Sequence, residues 1–209
     1  MKKIIMYGAS YPDTVKILKM NKKFKIEGFI DDVKYGKDKT FMGEKILGNV
    51  GTIDKYVNEN FNFVNNVFNP IKKREKIHKI LQQHDAKIVS VIHPNVDTSL
   101  SCIGKSVWIH DGVKIGANAQ IGNNVVIRFN SIINHDNVIE DFVFISPGVV
   151  LAGRVRIKRN TFIGSGAVVL PNKTIGENSI VGAGSVVIKD IPDNCTYAGN
   201  PARELKGYL

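Results

Sequence analysis

His135 and Asp136 stand side by side between Asn134 and Asn137. An imidazole titrates near neutrality, so His135 could take a proton from an attacking amine or hydroxyl. The same residue types also suit a solvated surface corner. The other reactive residue types are poorly arranged. His78, His84, His93 and His110 have no metal spacing with cysteines or carboxylates, so no metal is expected. Cys102 and Cys195 are too few for a disulfide scaffold and fit a reduced cytoplasmic protein. Gly8 follows a first apolar run, but the segment Ala9-Ser10-Tyr11-Pro12-Asp13 lacks the further glycines of a dinucleotide fingerprint.

The elements that must hold His135 announce themselves by period. From Ile103 to Val187 every sixth residue is Ile, Leu or Val, in a chain that is 43% hydrophobic. A helix repeats at 3.6 and a strand at 2, so neither explains this spacing. A solenoid of short strands and corners does, with one large apolar residue pointing inward per face. Gly104, Gly116, Gly122, Gly164, Gly176 and Gly182 each follow an inward residue and read as tight corners. Three hexapeptides make one coil of a prism, so residues 18 apart stack about 4.8 Å apart. By that rule Gly153 lies one coil above His135. It can serve as a tight corner, or leave its backbone N–H open to a ligand.

Residues 1–90 lack the period. Lys3–Tyr7, Lys25–Ile30 and Phe63–Phe68 read as strands. Residues 13–20, 52–58 and 71–84 read as helices, the last with Ile77, Ile80 and Leu81 on one face and a charged run from Lys72 to Glu75 on the other. The alternation predicts a small Rossmann-like α/β domain over 1–90 and a solenoid domain over 91–209, beginning near His93-Pro94. A short C-terminal helix is expected over 202–208. Ligands of such sheets bind at the carboxyl ends of strands, which here present Gly8, Ala9 and Ser10 and the pair Asp31 and Asp32. Those carboxylates could bond a nucleobase or ribose, or simply be solvated.

The net charge of +10 suits an anionic ligand such as a nucleotide, or reflects a Lys-, Ile- and Asn-rich composition. The basic residues are scattered and no helix carries a stripe of them interleaved with aromatics, which argues against nucleic acid. No run of 18 apolar residues exists, so no membrane span is expected.

The repeat and its punctuation resemble the hexapeptide acyltransferases, whose fold is a left-handed parallel β-helix. Within that superfamily the sequence closely resembles the sugar O-/N-acetyltransferases of sialic-acid and bacillosamine type. It is carried by Asn134-His135-Asp136, Ile145-Ser146-Pro147-Gly148, Leu151-Ala152-Gly153, Phe162-Ile163-Gly164-Ser165-Gly166-Ala167, Ala198-Gly199-Asn200-Pro201-Ala202-Arg203 and, near the N-terminus, Gly28-Phe29-Ile30-Asp31-Asp32. The resemblance implies an acetyl-CoA-dependent enzyme acting on the 4-amino group of a nucleotide-linked deoxysugar. His135 would be the base and Asp136 its orienting carboxylate. The Gly153 N–H would bind the thioester oxygen, and Pro201, Ala202 and Arg203 would lie against the adenine end of the cofactor. No Cys or Ser is placed for a covalent acyl intermediate, so attack would be direct. The basic run Arg154, Arg156, Lys158 and Arg159 could flank coenzyme A.

Three such prisms associate in the family, so a homotrimer is expected. The family commonly carries a second histidine nine residues after the first. Here that position is Phe144, which would pack against the pantetheine arm or acetyl methyl. The family's second glycine turn is replaced by Asn69-Pro70. O-acetylation of a sugar and a non-catalytic scaffold are the competing readings.

Overall fold

A computed structural model describes residues 1–68 and 70–207. The chain divides into two compact units, Met1–Pro94 and Asn95–Leu209.

The first unit is a sheet with strand order β3-β4-β2-β1-β5-β6. Its elements are β1 (Lys2–Tyr7), α1 (Pro12–Met20), β2 (Phe24–Ile30), β3 (Thr40–Phe41), β4 (Glu44–Gly48), α2 (Ile53–Asn58), β5 (Asn62–Asn65), α3 (Ile71–Gln83) and β6 (Lys87–Ile88). All pairings are parallel except β3 with β4. Ile4, Ile5 and Met6 of the central β1 are wholly buried, as a strand covered on both faces requires. Ile77 and Leu81 of α3 close the core against Ile5, Ile30 and Phe63.

Two details depart from the sequence reading. Regular pairing of the strand expected over 63–68 ends at Asn65, because the Asn66 side chain bonds the Gly8 carbonyl and receives the Thr14 hydroxyl instead. Within the charged run on α3, Arg74 is only 1% exposed, and burial pushes its guanidinium down to about 9. Asn69 lies outside the described residues.

The second unit is a parallel β-helix of two-residue strands. Inward residues stack in columns 18 apart, among them Ile133 on Leu151 and Ile139 on Ile157. From Ile121 to Val187 every sixth-residue hydrophobe is buried. The corners explain the asparagine content. From Ile103 to Val181 the third residue after each inward one has a left-handed backbone, for example Asn118 (φ 60°), Asn124 (55°), Asn130 (56°), Gly148 (70°), Asn160 (56°) and Asn172 (59°). Asn and Gly tolerate that conformation best, so the composition is a demand of the turn. The glycines that follow the inward residues serve another purpose. A Cβ on Gly164 would sit 2.5 Å from the Ala183 nitrogen, so it is kept small for close coil approach.

The expected C-terminal helix is not formed over its described part. Thr196–Ala198 pairs in parallel with Ile180–Val181 and antiparallel with Arg203–Glu204. Gly199 (φ 100°) and Pro201 reverse the chain. The Ala202 N–H then donates to the Val186 carbonyl and Leu205 to Thr196, which covers the solenoid edge that a helix would leave unpaired.

Gly164→Ala and Asn178→Ala separate these two demands. Asn178 is exposed with φ 53°, so alanine there should cost about 1 kcal/mol and lower the melting temperature by a few degrees. Gly164→Ala should cost more, because backbone rather than a side chain must move. Thermal denaturation of both variants reads the difference.

Candidate active site

The His135 corner is built by its neighbours. Asn134 Oδ1 caps the His135 N–H at 2.9 Å. Asn137 is fully buried where most hexapeptides place Val, Ala, Ser or Thr. Its Nδ2 donates to the Asn134 carbonyl (2.8 Å) and its Oδ1 accepts the Val155 N–H (2.7 Å). The corner is thereby tied to itself and to the next coil.

His135 Nδ1 lies 2.8 Å from Asp136 Oδ2. Hydrogen bonds from His135 first, then from Asn118, with the charges of His135 and Arg154 contributing, hold the Asp136 carboxyl below its usual range. An ionised carboxylate only accepts, so Nδ1 carries the proton and Nε2 keeps its lone pair. That is the tautomer a general base needs. The histidine side chain is 47% exposed and open to a substrate.

Gly153 is beside it, as the stacking rule requires. A Cβ there would lie 2.6 Å from both Nε2 and Cε1 of His135. The glycine therefore gives the imidazole its seat. Its N–H donates to no carbonyl or side chain among the described residues. At some other corners the equivalent amide is capped, as Asp141 Oδ1 caps Asn123 at 2.6 Å and Asp193 Oδ1 caps Glu177 at 2.8 Å. The Nε2 lone pair therefore lies beside a glycine whose amide is unengaged.

Phe144 is not there. It lies on a different face of the prism, stacked on Phe162 at 5.3 Å, while the His135 corner joins the two other faces. The basic run is also differently employed. Arg156 bonds Glu140 (2.5 Å), Lys158 bonds Asp193 (3.0 Å), Arg159 lies 3.8 Å from Glu177 and Arg154 lies 3.8 Å from Asp136. Each ties one part of the solenoid to another. Ala202 and Arg203 line a cavity of about 320 Å³ with Lys189 and Tyr197 at the last coil. Lys189 continues the corner column of His135, Gly153 and Pro171, about 14 Å above His135 by the strand spacing. Among the described residues no group of three His, Cys, Asp or Glu could hold a metal ion.

In the first unit the structure brings Gly8, Ala9 and Ser10 to Asp31 and Asp32. Asp31 accepts the N–H groups of Ala9 (2.8 Å), Val33 (3.0 Å) and Lys34 (2.9 Å). Asp32 accepts the Tyr7 hydroxyl (2.5 Å) and the Val50 N–H (2.8 Å). Burial first, then the Asp32 bond, pushes the Tyr7 phenol up, so it remains a donor. Both carboxylates brace the loops at the strand ends. Gly8 (φ 97°) is required there, since a Cβ would meet Val67 Cγ2 at 2.8 Å. Asn66, Asn118 and Asn137 carry no site reading in the sequence, and Arg154 reads there as part of a basic flank for coenzyme A rather than as a partner of Asp136. Asn118 and Arg154 stand 18 residues either side of Asp136, which is the signal that could have found them.

The chain matches the family model of the bacterial transferase hexapeptide (six repeats) over residues 103–135, 138–171 and 155–189. It is 35% identical over 184 residues to the GDP-perosamine N-acetyltransferase of Escherichia coli O157:H7, covering 85% of this chain and 81% of that protein. The acetyltransferase domain of PglB from Neisseria gonorrhoeae, solved with acetyl coenzyme A, superposes with a TM-score of 0.90 at 27% identity over 98% of this chain and 99% of that one. PerB from Caulobacter crescentus, solved with CoA and GDP-perosamine, shares the fold with a TM-score of 0.90 at 24% identity over 98% of each chain. The fold is thus the expected one, an α/β domain followed by a left-handed β-helix.

Gly153→Ala tests the seat. The methyl must displace the end of a flexible side chain, so the melting temperature should hold. Turnover should fall on the order of 10²-fold from the displaced imidazole. Unchanged kcat would show that the imidazole does not work from this position.

Proposed function

The chain belongs to the bacterial hexapeptide-repeat acetyltransferases, and we propose that it moves the acetyl group of acetyl-CoA to the amino group of a nucleotide-linked 4-amino deoxysugar by direct attack. The observation that carries this reading is the position of His135 Nε2 against Gly153, with the glycine N–H unengaged. Asp136 keeps the proton on Nδ1. Nε2 then takes the proton released as the amine attacks and returns it to the coenzyme A sulfur as the C–S bond breaks. The Gly153 N–H receives the carbonyl oxygen as its charge grows. Acetyl-CoA supplies the thioester carbonyl, and Gly153, Lys189, Ala202 and Arg203 would hold it along one corner column, with the cations of the last-coil cavity toward its phosphates.

The loops carrying Gly8, Ala9, Ser10, Asp31 and Asp32 would hold the nucleotide. Asp31 and Asp32 act mainly by fixing loop shape, since their oxygens already accept from loop N–H groups and Tyr7. The E. coli relative is named for GDP-perosamine, which makes that compound the first acceptor to test.

The active assembly is a homotrimer. Ile132, Val150, Val168 and Val186 point outward along one face, with Ile132 42% exposed, and a second copy would cover such an apolar strip. Side-by-side packing would also let the Phe144 face of one copy approach the His135 corner of another. Cys102 and Cys195 are free, which suits a reducing cytoplasm. Among the described residues no helix is long and apolar enough to cross a membrane.

His135→Ala should lower turnover by roughly 10² or more with GDP-perosamine and acetyl-CoA, while coenzyme A binding by calorimetry is preserved. Near-wild-type turnover would remove His135 from the chemistry. Light scattering should report three copies; a stable, fully active monomer would contradict the assembly.

A further inference from the structure

Asp136 is held from three successive coils. Its Oδ1 accepts the Asn118 side chain from the coil below at 3.2 Å. Its Oδ2 accepts His135 Nδ1 within its own coil. Arg154 Nε from the coil above lies 3.8 Å from that same Oδ2, and the Arg154 backbone N–H bonds the His135 carbonyl at 3.1 Å. A second, independent feature marks the position. Arg154 occupies a left-handed corner with φ 60°, where the other hexapeptides place Asn or Gly, apart from Ser106, Asp136 and Phe142. A long branched cation is a costly choice there, and such choices cluster where geometry matters.

We infer that Arg154 is a positioning residue for the His135–Asp136 pair and not a contact for the cofactor. The inference rests on His135 being the base. The Asp136 carboxylate is 38% exposed and could swing into water. Arg154 above and Asn118 below leave it one orientation, in which Oδ2 meets Nδ1. The imidazole then keeps its proton on Nδ1 and its lone pair over Gly153. The lowered carboxyl of Asp136 agrees with this arrangement, His135 and Asn118 being the larger causes and Arg154 a smaller one. Because the pair is exposed, the effect of the guanidinium is modest.

The test uses the full-length protein with acetyl-CoA and GDP-perosamine, and variants Arg154→Met, Arg154→Asn, Asp136→Asn and the double variant D136N/R154M. Arg154→Met and Arg154→Asn should each lower kcat about two- to fivefold, with the KM for acetyl-CoA unchanged. Asparagine suits the corner better than arginine, so its loss would not come from the fold. The double variant should be no slower than Asp136→Asn alone, because Arg154 acts through Asp136. Long-range ¹H–¹⁵N spectra of the free enzyme read the tautomer without any acceptor: the Nδ1–H form should dominate in the parent and lose that dominance in Arg154→Met. A raised KM for acetyl-CoA at unchanged kcat would assign Arg154 to the cofactor and overturn the inference. So would full kcat in Arg154→Asn, multiplicative losses in the double variant, or an unaltered tautomer. These outcomes are distinguishable from failure of the base assignment, which only a fully active His135→Ala would produce.

Discussion

The interval of 18 residues between stacked backbones governs this protein. Each strand of the solenoid is two residues long and could not stand alone. Its backbone bonds go to the coils above and below, so the position of every corner is fixed by two neighbours. The hydrophobic columns enforce that register, since a slip of one residue would turn the inward isoleucines outward. The chemical groups inherit it. His135 meets Gly153, and Asp136 meets Asn118 and Arg154, because each pair is one coil apart.

The same regularity decides how charge is used. Arginines and lysines on adjacent coils lie within reach of carboxylates, and Arg156, Lys158 and Arg159 each find one. Exposed pairs of this kind contribute little individually. Their consequence is that the cations nearest the His135 coil are engaged in joining coils. At the end of the solenoid Lys189 and Arg203 line one cavity together with Asp190 and Glu204.

In the first unit, parallel strands bring their carboxyl ends together, and loops there must satisfy backbone groups that the sheet leaves unpaired. Asp31, Asp32 and Asn66 do this by accepting or donating to three different loops. Carboxylates that look available for a ligand when read in order along the chain are engaged in bracing these loops. Rigidity at such loops favours binding, because little conformational freedom remains to be lost.

The amino-acid order by itself determined the solenoid, the coil length, the strand–helix alternation of the first ninety residues and the His135–Asp136–Gly153 set. Periodicity is a local signal, and the stacking rule converts it directly into neighbours. The rule could equally have named Asn118 and Arg154, but their residue types read as an ordinary corner and a cofactor cation. What only the tertiary structure decided depended on backbone conformation and three-dimensional accessibility. The left-handed φ at each corner explains the asparagines. The face on which Phe144 lies was already within reach of the 18-residue count, which sets it in register with Val126 and Phe162 and half a coil from His135. The tail became a hairpin because an open solenoid edge offers backbone partners that an isolated helix cannot match. Arg74 is buried on the face of α3 that carries Ile77 and Leu81, three and seven residues further on, a placement the spacing allows but its residue type conceals.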